Sequence, residues 1–227
     1  MALELDAVAR AFGLSPDHTG RGDHTGRGDH TGRVGSIEIV ARSTDIGMAA
    51  AGRATRLALD LRPDHVMIVG IAGGVDPAVP IGHVILPATV VDRATGDAYA
   101  TRTAGGVGEL SCGDDFITDR VAIAALRDRG VVALDMESAA VARECEVRAV
   151  SWSVHRAISD RPDDGLVDDS IWSMTTADGH ADAAALDEYL RADPARRERL
   201  RQLAHDATLA ADAAAHAARE HLEHFAF

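Results

Sequence analysis

The stretch Val131-Val132-Ala133-Leu134-Asp135-Met136-Glu137-Ser138-Ala139-Ala140-Val141-Ala142 constrains the fold more than any other part of the chain. Its first four residues are apolar and largely β-branched, which suits a short strand buried on both faces. From Asp135 the composition turns helix-forming and stays so to Cys145. A strand that feeds a helix this directly is a joint of an α/β sheet. It puts Met136 and Glu137 at a strand's carboxyl end, where open α/β sheets hold their ligands. Glu137 then has two readings. It is either a helix-start acid favoured by the macrodipole, a matter of roughly 0.3–1 kcal/mol, or an acceptor for a pair of vicinal hydroxyls.

Similar joints recur along the chain. Leu3 to Phe12 has helical spacing and Gly13 offers a stop. Ile37 to Ala41 reads as a strand, and Ile46 to Leu61 as a helix ended by Arg62-Pro63. Val66 to Val69 is a second buried strand, running into Gly70-Ile71-Ala72-Gly73-Gly74, which reads as a turn with accessible backbone N–H groups. That run has neither the GxGxxG nor the GxxxxGK[ST] spacing, which disfavours dinucleotide and P-loop sites. His83 to Val91 is β-rich, and Thr101 to Leu110 reads as a loop. Asp115 or Thr118 is placed to cap a helix reaching Leu126. Ala149 to Ile158 is another buried strand, followed by Ser159-Asp160, and Pro162 to His180 is an acidic segment long enough for a lid. Asp182 to Arg191 and Pro194 to His224 read as closing helices. The order predicts one domain over residues 1–227, a three-layer α/β/α fold on a mostly parallel, twisted central sheet.

Composition narrows the function. The formal net charge is −13, and all 23 basic residues are arginine. Such an acidic balance lacks the basic footprint that a nucleic-acid partner requires. Cys112 and Cys145 are the two cysteines and lack CxxC spacing, so they read as reduced thiols rather than a disulfide or zinc framework. No apolar run reaches the length of a membrane span, and the expected location is the cytoplasm. Residues 17–33 repeat Asp-His-Thr-Gly-Arg-Gly from Asp17, Asp23 and Asp29. With no apolar residue until Val34, this segment reads as a flexible surface loop made by repeat expansion, not a metal or adhesion site.

Three strand ends thus offer chemistry: the glycine run, Met136-Glu137, and Ser159-Asp160. Taken alone, Asp160 suits a helix cap or loop acid, and Phe116 suits the core as well as a ligand platform. Together these segments resemble the purine and uridine phosphorylase/nucleosidase superfamily, in its 5′-methylthioadenosine/S-adenosylhomocysteine nucleosidase-like branch. Ser43 to Ala50 resembles the family's Ser-Gly-Ile-Gly segment, with Ile46-Gly47 at its apolar-Gly pair. Gly70 to Gly74 resembles Gly-x-Ala-Gly-Gly, and Cys112 to Ile117 the purine-contacting Gly-Asp-x-Phe-Ile. Asp135 to Ala140 is similar to the Met-Glu motif, and Ala157 to Asp160 to Ile-Ser-Asp.

The resemblance implies a catalytic trio and a binding shell. Asp160 would be the general acid on the leaving purine, and an amino-terminal carboxylate would activate water. Ala2-Leu3-Glu4-Leu5-Asp6 fits the family's start in two registers, which put that acid at Asp6 or at Glu4. Either the start is truncated or the family's first strand is lost. Glu137 would accept the ribose hydroxyls, with Met136 on the sugar. Phe116 and Ile117 would meet the purine, while Ala72, Gly73, Ile46 and Ser159 complete the shell. The resemblance implies a small purine nucleoside as partner, a homo-oligomer of two or more copies, and no cofactor or metal. The activity it implies is hydrolysis of the N-glycosidic bond of 5′-methylthioadenosine/S-adenosylhomocysteine-type nucleosides; the alternatives are phosphorolysis, with Arg42, Arg93 and Arg102 as phosphate candidates by position, and a catalytically impaired nucleoside-binding homologue.

Overall fold

The structure is a computed structural model that describes residues 2–17, 28–103, 105–166, 170–171, 174, 182–193 and 195–224. Helix α1 (Ala2–Phe12) is followed by strands β1 (Ser15–Pro16), β2 (His30–Val34) and β3 (Ile37–Ala41), which form a small antiparallel sheet in the order β1-β2-β3. Helix α2 (Met48–Leu59) leads to β4 (His65–Gly74), β5 (Val84–Ile85), β6 (Thr89–Asp92), β7 (Ala98–Ala100) and β8 (Glu109–Cys112). Then come α3 (Arg120–Asp128), β9 (Val131–Asp135), α4 (Ser138–Val147), β10 (Ser151–Asp160), α5 (Ala183–Ala192) and α6 (Arg196–His224).

The seven strands from β4 to β10 make the central sheet, in the order β5-β10-β4-β9-β8-β6-β7. The ladders β4/β10, β6/β8 and β8/β9 are parallel and carry most of the paired length. Two edges, β5 and β7, and the short β4/β9 seam are antiparallel. Side chains alternate across β4. Ile68 and Ala72 face α2 and α4, packing with Ala51, Leu59 and Ala139. Met67, Val69 and Ile71 face the opposite way, under Phe12 and Ala7 of α1 and Ala215 and Leu222 of α6. Buried alanines 210, 211, 214, 215 and 218 give α6 a face with no bulk, so the helix sits directly on Ala157 of β10. The result is helix, sheet, helix.

Several expected boundaries move, each for a local reason. Gly70 to Gly74 is not a turn but the last half of β4, extended and paired with β10. Ser159 and Asp160 likewise end β10 instead of following it. The cap of α3 is Asp119, whose carboxylate accepts the Ala122 N–H at 2.7 Å, rather than Asp115 or Thr118. The third repeat copy is no flexible loop. Residues 30–34 form β2, and Asp29, 1 % exposed, accepts two 2.7 Å hydrogen bonds from Arg42 Nε and Nη2. Backbone pairing and one buried ion pair supply what apolar side chains do not. Residues 18–27 of the repeat, and most of the expected lid between Pro162 and His180, lie outside the described residues. No strand precedes α1 among the described residues.

Candidate active site

Glu137 occupies the N-cap position of α4, yet its side chain makes no capping hydrogen bond. Its oxygens instead accept from the Gly47 N–H at 3.0 Å and from Arg156 Nη2 at 3.3 Å. The helix-start reading is therefore the weaker one. The carboxylate opens on a cavity of about 830 Å³. Gly47 has φ +95, and a Cβ there would lie 3.0 Å from Asp114 Oδ1, the acceptor of the Met48 N–H. Only glycine brings this N–H to Glu137 without strain.

Arg156 is the pivot of the charged end. It projects from β10 with 5 % side-chain exposure, and Nη2 donates to Asp135 Oδ2 at 2.6 Å. Nη1 lies 3.5 Å from Glu4 Oε1. Asp135 is also held by the Ser138 hydroxyl and by the Ser138 N–H at 3.2 Å. One guanidinium thus faces three carboxylates, and the imbalance shows in their proton affinities. Burial, opposed by Arg156 but assisted by the Asp135 charge, pushes Glu137 up to about 7. Burial acts the same way on Glu4, but nearby positive charge, Arg156 included, and the Ile71 N–H outweigh it and hold that carboxyl below its usual range. Gly70 makes this cluster possible. A Cβ on it would sit 2.2 Å from Glu4 Oε1 and 2.5 Å from Arg156 Nη1.

Asp160 closes the other end. Burial raises its proton affinity, against the Ser159 hydroxyl, which donates to Oδ1 at 2.7 Å. A Cβ at Gly73 would lie 3.3 Å from Asp160 Oδ2, so a bare backbone at Gly73 leaves the acid its room. Above the site, Arg93 donates to the carbonyls of Ser111, Gly113 and Asp115 at 3.0, 3.2 and 2.7 Å, fixing the loop that carries Phe116 and Ile117.

Glu4, Ile46, Ala72, Gly73, Phe116, Ile117, Met136, Glu137, Ser159 and Asp160 all line this one cavity. Asp6 does not. It is exposed on α1, two residues beyond Glu4, where the helical rotation turns it from the cavity. The register that counts Glu4 as the amino-terminal acid is the one that reaches the site.

The sequence profile of the Phosphorylase superfamily matches residues 1–109. A 5′-methylthioadenosine/S-adenosylhomocysteine nucleosidase of Marinomonas sp. (strain MWYL1) is 29% identical over 157 residues, covering 54% of this chain and 68% of the relative. The crystal structure of the Helicobacter pylori nucleosidase of the same name superposes with a TM-score of 0.72 at 16% identity, over 99% of this chain and 95% of that one. A futalosine hydrolase structure from Helicobacter pylori gives the same TM-score, 0.72, the same identity, 16%, and the same coverage, 99% and 95%. Over its first 109 residues the chain is similar to the phosphorylase superfamily, and its fold is that of the nucleosidase structures.

The site holds one central residue that sequence reasoning missed. Arg156 stands immediately before Ala157-Ile158-Ser159-Asp160, inside a run read only as buried strand. The signal was an arginine inside a strand expected to be buried, because a buried cation requires anionic partners. Of the arginines weighed as phosphate ligands, Arg42 and Arg93 line the cavity with their guanidinium groups already paired, and Arg102 does not line it. Arg42 binds Asp29, Arg93 binds backbone carbonyls, and Arg102 is exposed. Among the described residues, no cluster of three or more His, Cys, Asp or Glu is arranged to hold a metal ion, and no helix is long and apolar enough to cross a membrane.

Proposed function

We propose that this protein is a purine nucleosidase that hydrolyses the N-glycosidic bond of 5′-methylthioadenosine/S-adenosylhomocysteine-type nucleosides, the substrates named for its bacterial relatives. One observation carries the reading: Glu137 at the start of α4 and Asp160 at the end of β10 open on one nucleoside-sized cavity, and Glu137 makes no capping hydrogen bond.

Cleaving the bond leaves positive charge on the ribose and negative charge on the departing base. Asp160, whose proton affinity burial raises, is the acid placed to protonate N7 of the purine, which makes the base a better leaving group. Glu137 accepts the ribose hydroxyls through hydrogen bonds that strengthen as the ring becomes cationic. Met136 packs against the sugar, Phe116 and Ile117 against the purine, and backbone at Ala72 and Gly73 lies along both. Glu4 stays ionised and serves as the base for water, beside the Arg156 guanidinium that orients it.

Hydrolysis is favoured over phosphorolysis on electrostatic grounds. A phosphate dianion entering here meets Glu4, Asp135 and Glu137, three carboxylates that already share the Arg156 guanidinium. The protein is assigned to the cytoplasm, a reading supported by two buried free cysteines. It is also assigned a homo-oligomeric state, supported by Val40, Leu57 and Leu61, large apolar side chains 41–44% exposed. Sedimentation velocity tests that assignment, and a single monomer peak at micromolar concentration contradicts it. The test of the reaction is the release of adenine from 5′-methylthioadenosine in phosphate-free buffer. A strict requirement for phosphate would make the protein a phosphorylase. Tight binding without turnover would make it a nucleoside-binding protein.

A further inference from the structure

Beside the active cavity lies a second, smaller hollow of about 290 Å³. Asp45, Ile46, Ala49, Ala50, Arg53 and Asp114 line it, at the start of α2. Asp45 and Ile46 line the active cavity as well, so the two hollows meet at these residues. Ala49 and Ala50 precede Arg53 by four and three positions, which puts all three on one face of the helix. The two short side chains leave the room that the hollow occupies.

Its charges are mixed. Arg53 is exposed and makes no hydrogen bond or ion pair with any other described residue. Asp114 gives Oδ1 to the Met48 N–H at 2.7 Å and has a second oxygen to offer. Asp45 stands at φ +58, a left-handed conformation that glycine adopts more readily. Backbone outliers of this kind concentrate at ligand sites.

The lie of a nucleoside in the active cavity brings its 5′ end here. With the purine at Asp160 and the ribose hydroxyls at Glu137, the sugar rests beside Gly47, whose N–H binds Glu137 Oε1. The 5′ carbon leaves the ring next to the 3′ hydroxyl, so a 5′ substituent starts at the loop that carries Asp45 and Ile46. A methylthio group ends there. A longer substituent has two ways to go. The main cavity continues among Phe12, Ile39, Leu61 and Met67, where a charged group would lose its hydration and gain no partner. The small hollow offers one cation and two carboxylates.

We propose that this hollow is an annex for the α-amino acid end of a 5′-thio substituent, and that it makes S-adenosylhomocysteine the preferred substrate over 5′-methylthioadenosine. Arg53 takes the carboxylate of the tail, and Asp45 and Asp114 take its ammonium group. The inference rests on the proposed nucleosidase reading for the position of the sugar, and adds the residues that choose among its substrates. The tail stands apart from the breaking bond and is held equally before and during cleavage. Losing a partner for it therefore raises KM and leaves kcat unchanged.

The test is adenine release by wild type, Arg53→Met and Asp45→Asn from four nucleosides. These are 5′-methylthioadenosine, S-adenosylhomocysteine, and two analogues of the latter, one without its carboxylate and one without its amino group. Methionine keeps the length of Arg53, and asparagine tolerates the left-handed backbone of Asp45. Arg53→Met should raise KM about 5–10-fold for S-adenosylhomocysteine and the amine-free analogue, with kcat unchanged, and move the other two by less than about twofold. Asp45→Asn should raise KM more for S-adenosylhomocysteine and the carboxylate-free analogue than for the other two. An equal change on all four nucleosides would overturn the proposal, as would no change for S-adenosylhomocysteine, and either result leaves the nucleosidase reading standing. A second arm measures affinity for the same four by calorimetry in the Asp160→Asn background, where turnover does not interfere. Failure of wild type to release adenine from any of them would sink the nucleosidase reading, and the affinity comparison would then decide the annex by the same pattern.

Discussion

Gly47 donates its backbone N–H to Glu137 Oε1 at 3.0 Å, across ninety positions of sequence. The start of α2 and the start of α4 thus meet at one carboxylate, on a sheet whose strands deliver Arg156 and Asp160 beside it. The first prediction concerns that carboxylate. Glu137→Gln keeps the shape and removes the charge, so ribosides should lose about 10–100-fold in kcat/KM, the worth of one or two charged hydrogen bonds. The corresponding 2′-deoxyribosides should lose less. Equal losses for both sugars would make Glu137 a structural acid.

The same group sets a pH limb. Glu137 titrates near 7 because burial and the Asp135 charge resist its ionisation, against Arg156. Below that pH it is protonated and no longer the acceptor the sugar needs, so kcat/KM should fall as pH drops through about 7. The limb belongs to the coupled cluster and should vanish in Glu137→Gln. A limb that persists unchanged in that variant would assign it elsewhere.

Gly70→Ala tests the packing of the charged end. Its Cβ would fall 2.2 Å from Glu4 Oε1 and 2.5 Å from Arg156 Nη1. Crowding of this kind typically costs ~1–3 kcal/mol, and relief requires Glu4 to leave. Chemical denaturation should show the loss, with kcat reduced in whatever fraction stays folded. Wild-type stability and rate in this variant would mean that Glu4 is not held at Gly70.

A buried histidine makes the fold acid-sensitive. His155 is wholly buried in β10 and hydrogen-bonds His221 at 2.8 Å, and burial, with the charges of His221 and His65, pushes it down to about 3. In the unfolded chain it titrates near 6.5. Between those values the unfolded state takes up a proton that the folded state refuses. Its neutral state is therefore no burden above pH 6.5, and stability falls as pH drops below it, by up to ~1.4 kcal/mol per unit. From pH 7.5 to 5, wild type should lose about 2 kcal/mol more than His155→Gln by urea denaturation. Identical pH dependence in the two proteins would contradict this.

Much of this was legible in sequence where one signal served one purpose. The switch from β-branched residues to helix formers at Asp135 located the β9–α4 joint, although the helix begins only at Ser138. The glycine run was visible, but its conformation was not. Glycine suits turns, whereas here it clears space inside a strand for Glu4 and Asp160, atoms that arrive from other elements. Arg156 looked like part of a buried strand because its partners lie 19, 21 and 152 positions away. The third repeat copy held no apolar residue to announce a strand, and its buried Asp29 depends on an arginine 13 positions later. Neither Glu4 nor Asp6 was distinguishable by motif. The helical rotation of α1 separates them.

The most direct test of the account is adenine release from 5′-methylthioadenosine without phosphate, measured for wild type and Asp160→Asn. The account predicts phosphate-independent turnover in wild type and a loss of about 10²–10⁴-fold in kcat for the variant, with its thermal unfolding unchanged. Turnover unaffected by the substitution, or present only when phosphate is added, would contradict it.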